Sequence, residues 1–172
     1  MIAVTTFPEW GWDVYAKYCI DTWRKFWPGS VLAYYEGTAP PTRVAGVEFR
    51  PLSSIEGHDE FQELGIPQPD SYLYDARRFS HKVFAQIDAI EDYDQFWWLD
   101  ADVEMTSSLS DEKMQDITNK SFVSFLGRDG TYTETGVIAF NAFDENFDKF
   151  RRRYEKCYIH PIGEGGIYTL PC

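Results

Sequence analysis

The chain has 172 residues, 44% of them hydrophobic and 26% charged, which suits one globular domain with a sizeable core and excludes a disordered polymer. With 16 basic against 28 acidic residues the net charge is −12, which disfavours a nucleic-acid polymer or an anionic membrane surface as the main partner. No window reaches the ~18 uninterrupted apolar residues of a membrane span, and the opening residues Met1 to Thr6 lack the basic and apolar regions of a signal peptide. Any anionic ligand therefore has to be met by local positive charge, from a few Lys or Arg or from a metal.

Cys19, Cys157 and Cys172 are widely spaced and form no CxxC pair, so free thiols and a cytoplasmic setting are expected. Six Trp, 11 Tyr and 13 Phe exceed what a core of this size needs, and some are expected to line a cleft.

In chain order, Ile2 to Thr6 is a short β-rich apolar run. Tyr15, Cys19, Thr22, Trp23 and Phe26 recur at helical spacing and predict a helix stopped by Pro28-Gly29. Val31 to Tyr35 predicts a second strand, and Val47 to Phe49 a short third one. The stretch from Pro51 to Pro69 is irregular, with a helical turn around Asp59 to Leu64. Asp75 to Ile90 carries Phe79, Val83, Phe84, Ile87 and Ile90 on one stripe, the strongest helix signal in the chain. Phe96-Trp97-Trp98-Leu99 predicts a strand covered on both faces, Ser121 to Phe125 and Val137 to Phe140 predict two more, and Phe147, Phe150, Tyr154 and Cys157 mark a final helix. Strands alternating with helices imply an α/β fold, a Rossmann-type, mostly parallel central sheet flanked by helices, in a single domain over residues 1–172. Ligands in such folds bind beyond the carboxyl ends of the strands.

The chemistry concentrates at Asp100-Ala101-Asp102, where the apolar strand stops. On an extended segment, side chains two apart face one way, so both carboxylates are expected on one side. Two carboxylates crowded at the dry end of a buried strand need a cation, and a hard divalent ion, Mn²⁺ or Mg²⁺, takes oxygen ligands from one or two carboxylates plus substrate phosphates. Two solvated acids in a turn are the plainer reading of a bare DxD; the apolar strand before it favours the metal.

A strand ending in DxD, an amphipathic helix before it, and Gly136-Val137-Ile138 some 35 residues later resemble the GT-A fold of nucleotide-sugar glycosyltransferases. The likeness runs from Ile2 to Asn141 and is closest to the glycogenin-like and galactosyltransferase-like group with its small phage and bacterial relatives. It implies a metal-dependent transfer of a sugar from a UDP-sugar donor to a saccharide or other hydroxyl acceptor. It places the nucleotide base on Thr5, Thr6 and Phe7, base or ribose on Tyr35 or Glu36, and the diphosphate under Arg78 and Lys82, which are four apart on one helical face. In the family the first Asp of the motif contacts ribose and, through water, metal, while the second ligates metal directly; here these are Asp100 and Asp102, with Ala101 between them. Glu134-Thr135-Gly136-Val137 stands where the family has Asn-x-Gly-Val, so Glu134 is a candidate acceptor-side general base and a loop acid is its alternative. Gly136 would let a sugar approach the backbone closely. His160-Pro161-Ile162-Gly163 matches the family's late metal-ligating His-x-x-Gly without its following Lys, and fits a loop better than a third ligand. His81 is expected to be a surface or satisfied histidine.

Gly165 to Cys172 looks like a segment leading into another element, so the acceptor side is expected to be incomplete. Two alternatives stand beside the transferase: a non-catalytic nucleotide-sugar-binding module, and a nucleotidyltransferase, whose Gly-rich basic first loop Thr5-Thr6-Phe7-Pro8 does not match. A haloacid-dehalogenase-like phosphatase would need its DxD near the N-terminus, with Thr or Val where Glu104 stands.

Overall fold

The computed structural model of the chain describes residues 1–64, 75–130 and 133–158. Six strands, β1 (Ile2–Phe7), β2 (Val31–Tyr35), β3 (Val47–Pro51), β4 (Gln95–Leu99), β5 (Val123–Leu126) and β6 (Glu134–Asn141), form one sheet in the order β3-β2-β1-β4-β6-β5. β3, β2, β1 and β4 run parallel, and β6 is antiparallel to both β4 and β5. The helices are α1 (Lys17–Phe26), α2 (His58–Glu63), α3 (Ala76–Asp92), α4 (Asp111–Thr118) and α5 (Phe147–Tyr158). The mostly parallel α/β sheet expected from the strand–helix rhythm is present.

Both faces of the sheet are covered, which is why Phe96-Trp97-Trp98-Leu99 has no polar position. Phe96 and Trp98 join Val4, Leu32, Tyr34, Ile138 and Phe140 under α2, α3 and α5, where Phe84, Ala85, Ile90, Phe61 and Phe147 meet them. Trp97 and Leu99 point the other way, with Ala3, Val31, Ala33 and Ala139, onto Cys19, Ile20 and Trp23 of α1 and Met114 of α4. The register carries the pairing across the sheet: Phe96 lies opposite Phe140, and their rings stack at 4.5 Å.

Several local expectations need adjustment. The first helix opens with a π-helical turn at Trp12–Ala16 before α1, so Tyr15 stands ahead of the regular α-helix. α4 was not anticipated, because its mixed sequence fully buries only Met114 and Thr118, with Ile117 packed partly against the core; its visible signal is the Ser110 cap, whose hydroxyl accepts from the Lys113 amide. β6 starts three residues before the apolar run, drawing Glu134 into the sheet. Among the described residues no helix is long and apolar enough to cross a membrane.

Candidate functional site

A cleft of about 600 Å³ opens at the carboxyl ends of β1, β2 and β4. One wall is the first two turns of α3. Asp75 caps that helix by accepting from the Arg78 amide, and Asp75, Arg77, Arg78, Phe79, His81 and Lys82 all line the cleft. The N-terminal turns of an α-helix favour bound anions, and Arg78 and Lys82 add two cations in an otherwise acidic molecule.

Asp100, Ala101 and Asp102 form the facing rim. They are brought there differently from the expectation. β4 ends at Leu99, and the chain turns at once, the Val103 amide donating to the Asp100 carbonyl at 2.9 Å. A turn, and not strand alternation, keeps both carboxylates on the cleft. Asp100 Oδ1 accepts from Lys82 Nζ at 2.9 Å and from the indole of Trp98 at 2.6 Å, while Lys82 also donates to the Thr135 carbonyl at 2.6 Å. Burial pushes the Lys82 ammonium below its ordinary range, and the negative charge of Asp100 opposes that shift.

These residues suit a hard divalent ion. Asp102 is exposed on the rim and makes no hydrogen bond or ion pair among the described residues, and Asp100 keeps Oδ2 without a hydrogen-bond partner there. A side chain at Gly136 would intrude: a Cβ built there would lie 3.4 Å from Asp100 Oδ2 and 3.3 Å from Glu134 Oε1. Gly136 therefore keeps open the flank of Asp100, and its carbonyl accepts from the Asp100 amide at 2.8 Å. Among the described residues no group of three or more His, Cys, Asp or Glu is placed to hold a metal, and the rim offers the two carboxylates of Asp100 and Asp102. That number fits an ion completing its octahedron with diphosphate oxygens and water. His160 lies outside the described residues.

The remaining expected site residues divide. Thr6 and Phe7 line the cleft, but Thr5 is fully buried in the sheet and does not reach it. Glu36 is in the lining, whereas Tyr35 points into the core beneath β2. Burial holds the Glu36 carboxyl above the usual range, with Arg78 pulling it back. Glu134 is absent from the lining although Thr135 is present. Its carboxylate forms an ion pair with Arg128 and accepts from the Gly136 amide at 3.1 Å, so both its oxygens are engaged. That arrangement makes Glu134 a brace of the β6 entry.

Trp10, Tyr15, Phe79 and His81 are among the lining residues not foreseen as site residues. Trp10 and Tyr15 meet edge to face at 5.7 Å on the rim, and Phe79 lines the same cleft, exposed. Burial, followed by the charge of Asp102, raises the Tyr15 phenol. His81 Nδ1 pairs with His58 Nε2 at 2.9 Å, and the ring also faces the cleft. Burial, reinforced by His58, lowers it to about 4.

No family model and no curated protein matches the sequence. Solved structures do match the fold. The galactosyltransferase LgtC, solved in complex with donor and acceptor sugar analogues, superposes with a TM-score of 0.55 at 14% identity, over 95% of this chain and 66% of its own. Mouse xyloside xylosyltransferase 1 gives 0.56 at 8% identity, covering 94% of this chain and 74% of its own. The glycosyltransferase GlyE of Streptococcus pneumoniae gives 0.54 at 12% identity, covering 95% and 41%. The present chain thus has a GT-A-like glycosyltransferase fold and spans about two thirds of the length of LgtC.

Proposed function

We propose that this chain forms the donor-binding core of a metal-dependent glycosyltransferase that moves a sugar from a nucleoside diphosphate, a UDP-sugar, to a saccharide or other hydroxyl acceptor. The observation that carries the reading is the meeting of the Asp100-Asp102 turn with Arg78 and Lys82 in one cleft at the carboxyl end of the sheet. With a net charge of −12, a bound diphosphate depends on local positive charge of this kind.

Transfer requires the nucleoside diphosphate to depart with its negative charge. Asp100 and Asp102 would hold Mn²⁺ or Mg²⁺, which supplies charge neutralisation at the leaving phosphate. Lys82 and Arg78 add fixed positive charge from α3, in a cleft whose half-buried walls raise the worth of each contact above its value in water. Thr6 and Phe7 at the end of β1 and Glu36 at the end of β2 supply the nucleoside end of the cleft. The sheltered thiol of Cys19 suits a reducing, cytoplasmic setting.

A second reading has its own support. With the Glu134 carboxylate engaged by Arg128 and Gly136, no free acceptor-side base stands among the described residues near β6, as a non-catalytic nucleotide-sugar-binding module would have it. Release of UDP from a panel of UDP-sugars, with Mn²⁺ and with chelator, separates the two. Metal-dependent turnover supports the transferase, and tight donor binding without turnover supports the module.

A further inference from the structure

A line of hydrogen bonds runs from the surface to the cleft wall behind Arg78 and Lys82. Gly57, at φ +79°, turns the chain into α2 so that His58 is buried beneath α3. His58 Nδ1 lies 2.8 Å from Asp59 Oδ1, His58 Nε2 lies 2.9 Å from His81 Nδ1, and His81 Nε2 lies 3.9 Å from Glu36 Oε1.

The partners dictate the protons. A carboxylate only accepts, so a neutral His58 carries its proton on Nδ1 and offers Nε2 as an acceptor. His81 must then donate through Nδ1, which leaves its Nε2 bare. The lowered basicity of His81 keeps that nitrogen unprotonated near neutral pH. A bare imidazole nitrogen and a carboxylate oxygen thus face each other at 3.9 Å, too far apart and of the wrong kind to bond, and both belong to the cleft lining. Two adjacent acceptors in a partly dry wall need two donors.

We propose that His81 Nε2 and Glu36 together accept hydrogen bonds from a vicinal diol of the bound nucleotide sugar, with Asp59 and His58 setting the tautomer of His81. This rests on the donor reading above. A single N–H, such as that of a pyrimidine ring, would satisfy one acceptor and strand the other, and the paired N–H groups of guanine would both go to the carboxylate. A diol serves both, and each hydroxyl retains lone pairs for Arg78, whose charge acts on Glu36. The ribose of the nucleotide and the transferred sugar both carry such diols next to the phosphates, and His81 sits between Arg78 and Lys82 on the first turns of α3.

Two measurements test it. Long-range ¹H–¹⁵N NMR of the protein at neutral pH should show His81 protonated on Nδ1 and bare on Nε2; a proton on Nε2 overturns the acceptor pair. Calorimetry with Mn²⁺ should then compare UDP with 2′-deoxy-UDP, and UDP-glucose with its 2-deoxyglucose analogue. In the wild type, loss of the hydroxyl that is read weakens binding ~10-fold, a normal worth for one hydrogen bond. Of His81→Phe and Glu36→Ala, the variant that lacks the acceptor of that hydroxyl should show a cost below about twofold for the same deletion, while the other keeps the wild-type cost. The pair that shows the effect identifies the ribose or the sugar as the source. Deletions that cost nothing in either pair, or cost the same in both variants as in the wild type, overturn the diol assignment alone. Absence of UDP binding overturns the donor reading and takes the diol assignment with it.

Discussion

Lys82 Nζ stands 2.9 Å from Asp100 Oδ1, so the cation of the α3 wall is paired with the first carboxylate of the opposite rim. The ammonium holds the place of positive charge at Asp100 and also ties that carboxylate to the Thr135 carbonyl at the start of β6. A diphosphate entering the cleft offers Lys82 a second anionic partner, and a divalent ion offers Asp100 a second cationic one.

From this pairing, Lys82→Ala is expected to weaken UDP more than uridine, because only UDP brings the phosphates. The loss should be about 1–3 kcal/mol once desolvation is counted against a charge-assisted contact. Arg78→Ala should behave alike. Titration of both ligands into both variants checks this; equal weakening of UDP and uridine would place these side chains at the base instead.

Gly136→Ala tests the flank of Asp100. The added methyl would stand 3.3–3.4 Å from Glu134 Oε1 and Asp100 Oδ2, so one carboxylate must shift by a few tenths of an ångström. Stability should fall by no more than ~1 kcal/mol, while Mn²⁺-dependent UDP binding weakens several-fold. Thermal unfolding and calorimetry on the same preparation read the two effects separately. Unchanged UDP affinity would remove Gly136 from the site.

Glu134→Gln distinguishes a brace from a base. A general base contributes ~10²–10⁴-fold to transfer, whereas a residue held by Arg128 and the Gly136 amide should change transfer by less than about tenfold. UDP affinity should stay within about threefold in either case. A loss of transfer beyond ~100-fold with UDP affinity intact would reinstate Glu134 as the base, released from Arg128 when the acceptor binds.

His81 predicts a pH dependence of stability. In the unfolded chain it takes a proton near its ordinary value of 6.5, but in the folded protein only near 4, so folding is opposed as pH falls through that window. The contribution is at most about 3 kcal/mol, present above pH ~6.5 and lost towards pH ~4. Glu36, raised by burial, works in the opposite direction, favouring the fold at low pH and losing that effect as pH rises. Denaturant unfolding across this range should show a shallower acid loss in His81→Phe than in the wild type; parallel curves would contradict the burial argument.

Much of this architecture was legible in the residues. Phe96 to Leu99 declared a strand buried on both sides, the stripe from Phe79 to Ile90 declared α3, and the abrupt stop at Asp100 marked the rim. Arg78 and Lys82 were picked out by the family resemblance, and their spacing of four put them on one helical face. What stayed hidden depends on the third dimension. Whether Thr5 or Thr6 reaches the cleft is decided by which face each strand presents, and Tyr35 was lost to the core for the same reason. The pairing of His58 with His81 joins residues 23 apart across α2 and α3, and no local pattern announces it. Glu134 read as a cleft acid because Arg128, its partner, lies in a separate segment beyond β5.

The most direct test of the account is calorimetric titration of UDP into the protein with Mn²⁺ and with chelator, repeated on Asp102→Asn. The account predicts binding only with the metal, and its loss in the variant, since Asn keeps the shape but not the charge that holds the cation. Equal UDP affinity with metal and with chelator, or an Asp102→Asn protein that binds as the wild type does, would contradict it.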